Sequence, residues 1–351
     1  MKTLLLLLGV FMNLYGIMAQ QTNIPDSNFE QALINLGYDT APVDGVVLTA
    51  NINTIDSLNV NSSFIHSLVG IEDFTALEIL QCNGNYNLQN INISQNLKLT
   101  TLRCTSAPIT SLNVTQNSKL TTLNCGFSSL TTIDVTQNPL LSALDCSNNS
   151  ITSLDVTQNS ALTLLSCGGN QITNLDVTQN TLLQSLNCSS NNFNELDISQ
   201  NTMLHTFNCA GTPMSQLNAK SGNNTNIVNF NTLSNPNLGC IQVDNVAYST
   251  ANWTLIDPTS SFGTDCFVGI DKANTAVTIN VYPNPTQAFI NLVLEKEHHI
   301  AKITLYDMAG KVAKIYDATE RMLDVKNINS GQYILHLQTD EGIITKKVQV
   351  E

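Results

Sequence analysis

A chain of 351 residues holds two or three domains' worth of polypeptide. Only 12% of it is charged but 42% is hydrophobic, which predicts a packed core and excludes a disordered chain. A net charge of -13 argues against a nucleic-acid partner, which needs clustered Lys and Arg, and nine cysteines are an odd number for an exported protein.

The first element is a signal peptide. Lys2 supplies the positive start, residues 4–12 are apolar, and Ile17-Met18-Ala19 offers a cleavage site, giving a signal over 1–19. The apolar run falls short of the roughly 20 residues that cross a bilayer, and no later segment reaches that length, so no membrane span is expected. Residues 20–75 read as an N-terminal cap with the first partial repeats. Within it, Asp26 or Ser27 starts a helix, Glu30 completes a capping box with Ser27, and Phe29, Ala32, Leu33 and Leu36 recur at helical spacing. Gly37 ends the helix.

The central segment repeats. Cys82, Cys104, Cys125, Cys146, Cys167, Cys188 and Cys209 are separated by 22 and then five times by 21 residues. Leu99, Leu120, Leu141, Leu162, Leu183 and Leu204 keep the same register, as do Leu102, Leu123, Leu144, Leu165, Leu186 and Phe207. Asn149, Asn170 and Asn191 stand three after a cysteine. One unit reads LxxLxCxxNxIxxLDVTQNxx, a period that signals a solenoid whose coils share one core. The unit resembles the leucine-rich repeat, with Cys in place of its third Leu. That resemblance implies a short parallel strand at each LxC and an inward Asn at the bend, in a solenoid over 76–239; with the partial units INTIDSLNV and LVGIEDFTALEIL before it, the repeats number about eight coils. A second extended piece is expected at LDV, where Leu154 and Val156 point inward and Asp155 outward.

Three columns carry candidate chemistry. A linear array of thiols lacks the tetrahedral geometry of a metal site, and seven cannot all pair, so the ladder reads as reduced, buried cysteine. Cys240 and Cys266 remain in a C-terminal cap over 240–266, where an exported protein would join them in a disulfide. Asp134, Asp155, Asp176 and Asp197 stack at strand spacing, either as a solvated edge or as a calcium site. The strand face, presumed concave, presents Arg103, Asn124, Asp145, Ser166, Asn187 and Asn208 just before each cysteine. There is no nucleophile elbow, paired-His zinc motif, CxxC or phosphate loop, so neither an enzyme nor a cofactor is expected.

After a linker at 267–275, residues 276–351 alternate apolar and polar positions with turns between, which predicts a small all-β antiparallel sandwich. Tyr282-Pro283-Asn284-Pro285, Gly310, Gly331, Tyr333 and the Lys346-Lys347 pair closely resemble the type A C-terminal sorting domain of the type IX secretion system. The whole chain is similar to secreted leucine-rich repeat proteins of the Bacteroidetes. The resemblance implies the secretion machinery as a partner, a destination outside the cell or on its surface, and adhesion or capture of an extracellular protein or glycan. A purely structural surface component stays open as the alternative.

Overall fold

The computed structural model describes residues 19–266, 279–294, 300–307, 311–339 and 342–351. The expected signal peptide up to Met18, the linker at 267–275 and the motif residue Gly310 lie outside them. The chain divides into two compact units, Met1–Cys266 and Phe267–Glu351.

The first unit is a parallel β-solenoid. Its main sheet has nine strands of three residues each, from Ser57–Asn59 to Asn229–Asn231, and every neighbouring pair lies in chain order. Identical positions pair: Leu102 with Leu123, Leu123 with Leu144, Leu144 with Leu165, and Leu165 with Leu186. The repeat period dictates this register, since the same residue recurs at the same point of each coil. The middle residue of each strand and the cysteine that follows the strand are buried, and each buried leucine contributes about 2 kcal/mol. A tenth coil closes the stack through a parallel bridge between Asn231 and Leu255.

The solenoid therefore has about ten coils, against the eight expected. The coil before Cys82, with Val60 at the cysteine position, is within that eight; the extra coils follow Cys209, where Thr232 takes the cysteine position and a count keyed to cysteine stops. Spacing drifts at both ends: strand starts Ser57 and Ile79 are 22 apart, and Thr206 and Asn229 are 23 apart. The second ladder at LDV is also narrower than expected. Strands form only near the ends, at Asn90–Ile91 and Ser111–Leu112, and then at Glu195–Asp197, Gln216–Asn218, Cys240–Gln242 and Ser261–Gly263. In the middle coils the inward and outward sense holds, with Val156 buried and Asp155 exposed. Single backbone bonds join them instead, such as Ser150 N to Leu130 O at 2.8 Å.

Both ends of the stack are covered, as a solenoid requires. At the N-terminus, Gln21–Asn23 pairs antiparallel with Val46–Leu48, beside the helix Ser27–Asn35. Asp26 caps that helix by accepting from Asn28 N and Phe29 N. The capping box does not form: Glu30 is buried and turns away to accept from Asp44 N at 2.6 Å and Gly45 N at 2.8 Å. Asp26 also accepts from His66 N and Ser67 N, which ties the cap to the first coil. At the other end, Phe230 stacks on Trp253 at 4.0 Å between ring centres, and Trp253 donates to Ile227 O. Cys240 and Cys266 are joined as a disulfide beside this aromatic plug.

The second unit contains a three-stranded sheet, Ile279–Tyr282, Phe289–Leu294 and Met322–Asp324, and a four-stranded one. The latter orders Val312–Tyr316, Ile300–Asp307, Gly331–Thr339 and Gly342–Val350 side by side. All its strand pairs are antiparallel, and one core joins Ile290, Leu292 and Leu323 to Ile303, Leu335 and Val348. The expected sandwich is what forms.

Candidate functional site

The strand face is built by alternation. In each three-residue strand the middle residue, Leu or Phe, points into the core and the last residue points out. Arg103, Asn124, Asp145, Ser166, Asn187 and Asn208 consequently form one in-register row. Arg103 is exposed and the other five are half-buried. Several also shape the bend that follows. Asp145 accepts from Ser147 N at 3.0 Å and from its hydroxyl at 2.6 Å, and Asn187 accepts from the Ser189 hydroxyl at 2.8 Å. Asn208 then donates to Asn187 at 3.2 Å, one coil away. The row thus offers a polar, hydrogen-bonding strip with a single fixed cation at its N-terminal part.

The aspartate column lies elsewhere on the coil, with Asp134, Asp155 and Asp176 exposed and Asp197 half-buried. Asp134 and Asp155 accept from the backbone N–H and the hydroxyl of Thr136 and Thr157, and these bonds hold both carboxyls below their ordinary range. For Asp134 the neighbouring Asp155 opposes this and is outweighed. Asp176 makes the same pair of bonds with Thr178, and Asp197 accepts from Ser199 N. One carboxylate oxygen of each is committed to its own turn. Among the described residues, no group of three or more His, Cys, Asp or Glu is placed to hold a metal ion.

The ladder cysteines are free thiols, all fully buried. Each N–H donates to the strand end of the next coil, as Cys125 N does to Asp145 O at 2.8 Å. Burial pushes the Cys82 thiol up to about 12 and raises Cys146 well above its ordinary value, with Cys167 adding to the effect. Such thiols are poor nucleophiles and poor metal ligands.

Two asparagine ladders run through the core. Asn170 donates to Cys146 O and Cys167 O at 3.0 Å each and accepts from Ile151 N, and Asn191 repeats the pattern one coil on. The second ladder, Asn96, Asn117, Asn138, Asn159, Asn180 and Asn201, was given no role by sequence reasoning. Each is buried and donates to two carbonyls of the preceding coil, as Asn159 does to Val135 O and Asn138 O. Its signal was the recurrence of Asn after Gln at every 21st position.

In the second unit the sorting motif converges on the terminal strand. Asn284 donates to Lys347 O at 2.9 Å and accepts from Gln349 N at 2.8 Å. Thr286 N donates to Gln349 O, while Glu351 N donates to Thr286 O. From the other side, Gly331 pairs with Val350, Tyr333 with Val348 and Leu335 with Lys346. Tyr333 is buried with its hydroxyl on Asn329 O, whereas Tyr282 and Lys347 are exposed. Residues 65 apart in sequence thus form one structure around the Lys pair.

Residues 280–351 match the family model of the secretion system C-terminal sorting domain. The chain carries this type IX address, which implies contact with the secretion machinery and sends it out of the cell or onto its surface. No curated protein matches the sequence. Among solved structures, the functional domain of InlJ from Listeria monocytogenes, described as including a cysteine ladder, aligns at 22% identity. The alignment covers 95% of this chain and 98% of that one, with a TM-score of 0.42. Internalin C2 of the same organism aligns at 18% identity over 70% of this chain and 99% of its own, at 0.49. A leucine-rich repeat protein of Leptospira interrogans aligns at 22% over 58% and 51%, at 0.40. No helix among the described residues is long and apolar enough to cross a membrane.

Proposed function

We propose that this exported solenoid is a non-catalytic capture protein, an adhesin or receptor for an extracellular protein or glycan. The strand face is its binding surface. The observation that carries this reading is the in-register polar row running from Arg103 to Asn208 on one uninterrupted sheet. A stack of short strands is rigid, so side chains on it are held for a partner at little ordering cost. Residues 276–351 supply transport and take no part in binding.

The test is a pull-down with the purified full chain from the organism's natural surroundings, repeated with Arg103→Ala, Asn124→Ala and Asp145→Ala combined. The triple variant should lose the captured partner at least tenfold. Capture that survives would put the site off this face, and failure to capture anything would favour a purely structural role. In the producing cell, deletion of 276–351 should strand the solenoid in the periplasm; normal surface display of that truncation would sink the sorting role.

A further inference from the structure

The bend after each ladder strand carries a residue with positive φ two positions beyond the cysteine. Most coils place a small or polar residue there: Gly84, Ser106, Asn148, Gly169, Ser190 and Gly211. Phe127 breaks the rule, with φ +52 and an aromatic ring that is 62% exposed. In the first coil Ser62 keeps the rule, but Phe64, two residues further along the bend, is a second left-handed aromatic residue at φ +58 and 69% exposure. Tyr86 lies on the bend between them and is 68% exposed. No other described aromatic ring of the first unit is as exposed.

A bulky residue in the left-handed region is strained, and an exposed ring gains nothing from the core. Two such residues beside a third bare ring, within four consecutive coils, are features that folding alone disfavours. Their surroundings select the occupant. The bend segments 60–65, 82–88, 104–109 and 125–130 contain no Asp, Glu, Lys or Arg, and on the same bends they present Ser62, Asn87, Ser106 and Ser129. Protein hot spots bring Arg and Trp into packed pockets, which this bend lacks. Flat apolar faces separated by uncharged amides and hydroxyls suit a neutral chain that has C–H faces and hydroxyl edges. The rings span about 15 Å at roughly 4.8 Å per coil, the scale of a few linked sugar rings.

We infer that Phe64, Tyr86 and Phe127 form a platform for a neutral carbohydrate chain, stacking under its pyranose rings beside the strand face. This deepens the capture reading and rests on it. The experiment screens the purified full chain against an array of neutral and acidic oligosaccharides, then measures the best neutral hit by calorimetry. Phe127→Gly and Tyr86→Ala should each weaken that hit at least tenfold, with the melting midpoint of Phe127→Gly unchanged or raised. Retention of no neutral oligosaccharide, or a hit that the Phe64→Ser, Tyr86→Ala, Phe127→Gly triple variant still binds, overturns the platform. A hit lost only on the Arg103, Asn124 and Asp145 changes overturns it too but keeps the strand-face reading. Capture of a protein through these rings would replace the carbohydrate and leave the capture role standing.

Discussion

Asn170 shows what one residue does for a coil. Its amide satisfies two carbonyls and one N–H that the bend leaves without backbone partners. Asn170→Ala strands Ile151 N inside the core, while Cys146 O keeps the Asn149 amide and Cys167 O keeps that of Asn191; one buried orphan costs about 1–3 kcal/mol. The urea midpoint of the solenoid should therefore fall by an amount equivalent to about 1–3 kcal/mol; a loss well under about 1 kcal/mol would mean water replaces the amide. Phe127 predicts the opposite sign. Left-handed backbone costs a side-chain-bearing residue about 1–2 kcal/mol, so Phe127→Gly should stabilise the protein by about 1 kcal/mol in the same measurement. The Asn149, Asn170 and Asn191 column was readable because it sits inside the leucine pattern. The Asn96 to Asn201 ladder was not, because Asn following Gln reads as an ordinary turn until the carbonyls of the preceding coil come within reach. Phe127 was equally silent, since nothing in a hydrophobic pattern distinguishes a ring that faces water from one that packs.

At the scale of the element, the cysteine ladder couples stability to pH. Burial raises the thiols in the folded state, Cys82 to about 12, while an unfolded cysteine ionises near 8.5. The contribution is complete below the unfolded value and drains away as pH rises above it, at up to about 1.4 kcal/mol per pH unit for each thiol. The unfolding midpoint, measured anaerobically without reductant, should stay flat from about pH 6 to 8 and drop steeply above about 9. Cys146→Ala should soften that slope by one thiol's share; an unaltered slope would mean the sulfurs are not the cause. The Cys240–Cys266 bridge acts differently, closing a loop with a sequence separation of 26. Replacing both with Ser should cost about 3 kcal/mol, seen as a lower melting temperature with unchanged export. Strand positions were legible from the repeat spacing together with the leucine-rich repeat resemblance, and the end staple from the exporting compartment. The count of coils was not, because beyond Cys209 Thr232 does the cysteine's packing without its letter. Glu30 misled for a related reason: its capping-box position is local, and the loop at Asp44 and Gly45 that claims it is distant in sequence.

At the scale of the whole molecule, low charge and repetition have one cause. Identical outward residues stack at roughly 4.8 Å, so like charges repeated in every coil would repel, and Asn, Thr, Ser and Gln take their places. Where the solenoid does repeat a carboxylate, from Asp134 to Asp197, each is anchored by its own turn. Export carries seven reduced thiols through surroundings that oxidise sulfur. Since they stand one to a coil, two can join only while adjacent coils are open together, and a stacked array opens from its ends inward. A brief pulse of oxidant should trap Cys82 with Cys104, or Cys188 with Cys209, long before it reaches Cys146. Mapping those crosslinks over time would record how far the stack unzips and from which end, written in sulfur by the protein itself.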